Sequence, residues 1–256
     1  MASVMLGLNV ATSVSPGDDP VRVARRAEEA GFDFVSSNDH PCGRSPNYET
    51  WTLLSWIAAS TSRVRIASRV LGVPYRSPPM LAKMAESLNR LSGGRLILGL
   101  GGGYSDDEFR AFGLKVPTPK EKIKGLEEAI EITRGLWSER SFTYTGQHYR
   151  TRAADIEPKP HTHIPIWLGT FRPRALALTG RLADGWIPSL SEDAPPEGIH
   201  AMQDIMFKAA EEAGRDRSEI TCAYNVRVQL GSNARDPYLV SGSPQQVTER
   251  LREFVE

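Results

Sequence analysis

Short apolar runs alternate with capped, amphipathic segments along most of this chain, and that alternation limits the fold more than any other feature. Residues 4–10 read as a strand. Asp18 and Asp19 then cap a helix with Pro20 near its first position; Val21, Ala24, Ala27 and Ala30 carry its apolar stripe, and Gly31 ends it. Residues 32–36 form a second strand, 48–60 a helix with Trp51, Leu54, Ile57 and Ala58 on one side, and 64–70 a third strand. Ser77 caps the next helix, whose apolar positions are Met80, Leu81, Met84, Leu88 and Leu91. Gly93-Gly94 closes that helix, and 96–100 is a fourth strand.

The pattern then loosens. Ser105-Asp106-Asp107-Glu108 has the spacing of a capping box, which makes Glu108 the reciprocal partner of Ser105 at the start of a short helix. Thr118-Pro119-Lys120-Glu121 is a second box, opening a long helix through Ile123, Leu126, Ile130, Ile132 and Trp137. Residues 142–150 alternate around Gly146 and predict a hairpin. A fifth strand over 164–168, a helix over 175–182, a sixth strand over 186–190, a helix within 194–214 and a seventh strand over 220–230 follow. Ser243-Pro244-Gln245-Gln246 caps a last helix over 247–255.

Strands alternating with helices mean parallel strands joined by crossovers. A doubly wound sheet competes with a barrel. Its phosphate signature G-x-G-x-x-G is not met at Gly99-Leu100-Gly101-Gly102-Gly103-Tyr104, which favours a TIM-type (β/α)8 barrel. A chain of 256 residues without a composition shift or repeat suits one such domain over 1–256. No eighth strand is evident before Glu256.

Lys plus Arg equals Asp plus Glu at 31 each, so the basic excess of a nucleic-acid or anionic-lipid binder is missing. No run approaches the length of a membrane span, and the first residues lack the pattern of a signal peptide. Cys42 and Cys222 make no CxxC pair. The expectation is a soluble, cytoplasmic protein with a small-molecule substrate and neither nucleic acid nor membrane as partner.

Within that frame Asp39 and His40 stand out. They follow the second strand, at a strand-to-loop junction of the kind that forms the active face of a barrel. An acid beside an imidazole there points to chemistry, while a turn capped by Asp39 is the alternative. His161-x-His163 resembles a metal pair, but it precedes a strand and so falls on the opposite face; no metal is expected. Trp51, Trp56, Trp137, Trp167 and Trp186 lie on periodic apolar faces, and most are expected in the core.

Several segments together resemble the bacterial luciferase-like superfamily of flavin- and deazaflavin-dependent oxidoreductases. They are Glu29-Ala30-Gly31-Phe32-Asp33-Phe34-Val35 running into Asp39-His40, Arg76-Ser77-Pro78-Pro79-Met80-Leu81-Ala82-Lys83, and Leu88-Asn89-Arg90-Leu91-Ser92-Gly93-Gly94-Arg95-Leu96 leading into Leu98-Gly99-Leu100-Gly101-Gly102-Gly103-Tyr104. Further on come Ile164-Pro165-Ile166-Trp167-Leu168-Gly169, Ala183-Asp184-Gly185-Trp186 and Val240-Ser241-Gly242-Ser243-Pro244. Asp39-His40 falls where the coenzyme F420 branch carries its cofactor-side Asp and His.

The resemblance implies a barrel with coenzyme F420, a 5-deazaflavin, across the C-terminal strand ends, and an insertion after the fourth strand, here 104–118. Family members continue past the helix matching 247–255 into an eighth strand and helix, so the expectation here is a barrel without them. His40 would be the proton donor or base, or would stabilise charge on the ring. Asp39 would orient the imidazole or bond the ring edge. Ser68, Arg69, Val70 and Leu71 would form a bulge with a non-prolyl cis peptide under the ring. Gly101, Gly102 and Gly103 would allow close backbone approach, although a tight turn explains them equally well. Asp107 matches a polar position near the ring. Gly169, Thr170, Phe171 and Arg172 would hold a phosphate at a helix start. The function implied is hydride transfer between F420 and a small organic substrate. A reduced-FMN monooxygenase, with FMN as cofactor, and a non-catalytic ligand-binding barrel are the rivals. Family members are often homodimers.

Overall fold

The computed structural model describes residues 4–189, 191–231 and 236–254. They belong to two compact units, Met5–Trp167 and Leu168–Glu256, with the residues up to Val4 grouped with the second.

In the first unit, β1 (Gly7–Asn9), β2 (Phe34–Ser37) and β3 (Arg65–Ser68) pair in parallel, and β3 pairs in parallel with β5 (Leu96–Gly101). The two-residue β4 (Leu71–Gly72) also runs parallel to β5. On its other side β5 neighbours β8 (Ile166–Leu168), with Leu98 N–H donating to Pro165 C=O at 2.9 Å. Every residue of β2 and β5 is buried, the signature of parallel strands covered on both faces. The crossovers are α1 (Pro20–Glu29), α2 (Thr50–Ser60) and α3 (Pro78–Leu91). After β5 come the short α4 (Asp106–Ala111) and the long α5 (Pro119–Ser138).

Local chemistry sets most boundaries. Asp19 caps α1 by accepting from Arg22 N–H at 2.9 Å, and both halves of the Thr118–Glu121 box are made. Ser77 makes no side-chain cap bond on α3, contrary to expectation. One of its two usual targets, the second helical N–H, is missing because Pro79 stands there. Glu49 caps α2 instead of a Tyr48 start, accepting from the N–H groups of Trp51 and Thr52. The third strand stops at Ser68, and the Arg69–Val70 peptide bond is cis, as the resemblance implied. Trp56, at 67% exposed, is not core, and neither are Met80 and Leu91. Trp56 lies on the side of α2 opposite the buried Leu53, Leu54, Ile57 and Ala58.

The predicted hairpin is present as antiparallel β6 (Phe142–Thr145) and β7 (Arg150–Ala154). Fully buried Glu128 on α5 anchors its turn by accepting the N–H groups of Gln147, His148 and Tyr149 at 2.7, 2.9 and 3.0 Å. Burial alone would raise the Glu128 carboxyl, but these bonds outweigh it and hold it below its usual 4.5. A folded value below the unfolded one stabilises the fold above that pH and is lost as pH falls through the folded value. Glu128→Gln is therefore expected to cost about 2 kcal/mol in urea unfolding near neutral pH. The gap to wild type should close as the pH drops below 4.5. A gap of equal size in acid and at neutrality would contradict this account.

The second unit is built from β9 (Gly185–Trp186) and β10 (Thr221–Cys222), which pair in parallel. Leu168 C=O accepts from Ile187 N–H at 2.9 Å. Helices α6 (Pro173–Leu182) and α7 (Ile199–Glu212) cover them, with Leu176, Trp186, Met206, Ala210 and Ile220 in one core cluster. A Cβ on Gly180 would lie 2.0 Å from Met206 C=O, so glycine is what lets these helices approach. The sixth strand is only two residues long rather than 186–190, and Leu190 lies outside the described residues. The helix expected within 194–214 begins at Ile199, because Pro195-Pro196 leads into a 3-10 turn over Pro196–Gly198. The expected seventh strand splits into β10 and β11 (Arg227–Leu230). β11 runs parallel to β12 (Leu239–Gly242), which the sequence reading did not assign as a strand. The last helix is α8 (Pro244–Glu253), with the Ser243–Gln246 box made; Val255 lies outside the described residues.

Candidate active site

The C-terminal end of β2 runs into Asn38-Asp39-His40-Pro41, and the two expected site residues part company there. The Asp39 side chain is fully buried. Its carboxylate accepts both Arg76 Nη atoms at 2.7 and 3.0 Å and the Gly72 N–H at 3.0 Å. Arg76 also donates to Glu49, the cap of α2. Burial would raise the Glu49 carboxyl, but the bonds from Thr52, Arg76 and Trp51 hold it below the usual range. Burial alone would lower the Arg76 guanidinium, yet Asp39 and Glu49 push it up, so it stays charged. The expectation that Asp39 orients the imidazole is therefore corrected. Its lone pairs are committed to Arg76 and the β4 backbone, which ties the strand-end loops together.

Glu108 orients His40 instead. His40 Nδ1 lies 3.0 Å from Glu108 Oε1, and Tyr75 Oη donates to Glu108 Oε2 at 2.6 Å. The Glu108 side chain is only 11% exposed, whereas that of His40 is 46% exposed. The capping-box reading of Glu108 is half right. Ser105 Oγ accepts from Glu108 N–H at 3.3 Å, but the carboxylate turns away from the helix start toward His40 and Tyr75. Burial, helped by the Glu108 carboxylate, pushes the Tyr75 phenol up, so it remains a donor.

The structure places the other expected residues as follows. Ser68 is buried, its hydroxyl donating to Gly99 C=O at 2.9 Å and accepting Gly99 N–H at 2.8 Å, so it braces β3 against β5. Arg69 Nε donates to Asn9 Oδ1 at 3.1 Å, and burial lowers its guanidinium. Val70 is half-buried at the cis bond, and Leu71 is fully buried. Gly103 has φ +88, and a Cβ there would lie 2.3 Å from the Phe109 ring, which gives that glycine a packing reason. Gly101 ends β5, and Gly102 is half-buried beside Lys122. Asp107 points to solvent and pairs with Arg110 at 2.7 Å. In the second unit Gly169 is half-buried; Thr170 is buried, its Oγ1 2.7 Å from Thr179 Oγ1 and its C=O accepting Trp186 Nε1 at 2.8 Å. Phe171 is half-buried, and Arg172, the cap residue of α6, pairs with Asp193 at 2.8 Å.

Tyr75, Arg76 and Glu108 were not assigned to the site by the sequence. Arg76 lay inside a quoted family segment and could have been paired with Asp39. The others carried no signal, because Tyr75 and Glu108 stand 35 and 68 residues from His40 along the chain. His161 and His163 are exposed. Among the described residues no group of three or more His, Cys, Asp or Glu could hold a metal ion, and no helix is long and apolar enough to cross a membrane.

Parallel strands carry a braced acid and an imidazole at their C-terminal ends, and the family model for luciferase-like monooxygenases matches residues 4–237. The chain belongs to the luciferase-like family. An F420-dependent glucose-6-phosphate dehydrogenase of Microbacterium testaceum (strain StLB037) is 33% identical over 209 residues, which is 79% of this chain and 61% of that protein. One of Nakamurella multipartita is 32% identical over 218 residues, 82% of this chain and 63% of that protein. The chain thus spans less than two thirds of the length of these relatives. An F420-dependent secondary alcohol dehydrogenase, solved with an F420-acetone adduct, superposes with a TM-score of 0.89 at 18% identity, covering 99% of this chain and 90% of that one. The monooxygenase RslO1 of Streptomyces bottropensis gives 0.79 at 23% identity, over 98% and 78%. These likenesses show the fold, the TIM-barrel-like α/β fold of the family.

Proposed function

We propose that this chain is the catalytic part of an oxidoreductase that transfers a hydride between coenzyme F420 and a small organic substrate. The observation that carries the reading is a half-exposed imidazole, held on a nearly buried carboxylate, at the C-terminal ends of parallel strands. The F420-dependent relatives support it. The residues also fit a flat ring with an apolar face and polar edges. Half-buried Val70 stands between β3 and β4, and half-buried Gly102 and Gly103 follow β5.

When bound, a deazaflavin supplies hydride transfer at one carbon. The backbone of Ser68, Arg69, Val70 and Leu71, with Gly101, Gly102 and Gly103, would support the ring. Asp39 serves the ring edge indirectly, by fixing the Gly72 N–H and Arg76. Solvent-facing Asp107 keeps a place only at the rim. His40 is the residue that exchanges a proton with the substrate, because its half-exposed imidazole stands at the strand ends with Glu108 behind it. In the second unit we assign Gly169, Thr170, Phe171 and Arg172 to a phosphate-bearing ligand, through the N–H groups at the start of α6. Cytoplasmic location and a homodimer complete the proposal, the homodimer on the strength of the family resemblance, and the even charge balance speaks against a nucleic-acid partner.

Titrating the purified protein with F420 and, separately, with FMN tests this directly. Saturable quenching of F420 fluorescence is expected, with weaker or no response to FMN. Tight FMN binding without any F420 response would turn the reading toward a monooxygenase. Binding of neither would leave a non-catalytic barrel.

A further inference from the structure

An imidazole has two nitrogens, and which of them works on a substrate depends on what holds the other. At His40 the holder is Glu108. An ionised carboxylate only accepts, so the neutral ring beside it must carry its proton on Nδ1 and a lone pair on Nε2. The second Glu108 oxygen is also taken, by the Tyr75 hydroxyl at 2.6 Å. The phenol is held in turn. Its ring packs against Phe109 with centroids 5.2 Å apart and against Phe112 at 6.3 Å. Phe109 is fully buried and sits on α4 next to Glu108 itself. The chain Phe109–Tyr75–Glu108–His40 therefore runs from rigid interior to a half-exposed ring through two directed hydrogen bonds.

We propose that Tyr75 and Glu108 are positioning residues that select Nε2 of His40 as the proton-exchanging nitrogen. Tyr75 clamps one carboxylate oxygen, which leaves the other aimed at Nδ1–H. Nε2 then takes the hydroxyl proton as an alcohol is oxidised, or returns it as a carbonyl is reduced. The substrate carbon loses or gains a hydride in the same turnover, so each direction moves one hydride and one proton. Glu108 balances the imidazolium while His40 holds that proton. The use of the tautomer rests on the F420 reading above; the tautomer itself does not.

Two readouts test it. In protein labelled with 15N-histidine, with His40 assigned from the spectrum of His40→Gln, neutral His40 should appear protonated at Nδ1. Tyr75→Phe keeps the aromatic packing and should produce a mixture of tautomers, and Glu108→Ala should move the proton largely to Nε2. In turnover, Tyr75→Phe should lower kcat roughly tenfold, the scale of one lost charge-assisted hydrogen bond, with KM little changed. Wild-type His40 protonated at Nε2, or an unmoved tautomer in Tyr75→Phe, would overturn the proposal. The spectra need no cofactor. An Nδ1–H ring without F420 binding would sink the F420 reading alone, while an unmoved tautomer in an active Tyr75→Phe would sink this one alone.

Discussion

Alanine at His40 is expected to lower kcat of the proposed F420-linked reaction by about 10²–10⁴-fold, the usual contribution of a positioned acid or base. The fold should barely register the change. The side chain is 46% exposed, and the ring bonds to Glu108, which keeps Tyr75 as partner when the imidazole is gone. Unfolding midpoints of variant and wild type should thus agree while turnover collapses. F420 affinity should change less than turnover, because the ring support assigned to Ser68–Leu71 and Gly101–Gly103 is backbone. A kcat within about threefold of wild type would remove His40 from the chemistry.

The opposite profile is expected at Arg76. Arg76→Met removes the guanidinium that neutralises Asp39, whose side chain is 0% exposed, and that also braces Glu49. Taking one partner from a buried pair leaves an uncompensated charge, which costs about 3–5 kcal/mol. Glu49 is partly exposed and adds little to this figure. Denaturant unfolding reads the loss directly. The double variant Arg76→Met with Asp39→Asn should recover much of it, since no buried charge is then left unpaired. Equal stabilities of Arg76→Met and wild type would show that the pair is not a structural tie.

The strand and helix order was legible because it rests on local signals. The Thr118 and Ser243 boxes, Pro20 after Asp19 and the hairpin around Gly146 all lie within a few residues of what they control. The errors have physical causes of the same kind. Ser77 looks like a cap until Pro79 is seen to remove one of its two targets, and Trp56 fits an apolar run while standing on the outer side of α2. β12 has too little local pattern to separate it from the turn before α8. At the site, position was legible and wiring was not. Asp39 and His40 could be placed at a strand end from their neighbours, but the partners of each come from β4, its following turn and α4, and only the folded chain brings those together.

Asp39 and His40 share a peptide bond yet face opposite ways, one into a buried ion pair and the other toward solvent. Adjacent codons in this gene therefore answer to different selection. On the proposed function, drift at position 39 is policed chiefly by whether the protein survives in the cell, and drift at position 40 chiefly by whether a reaction still runs. A lineage could retire or replace the chemistry at one codon and inherit the scaffold intact.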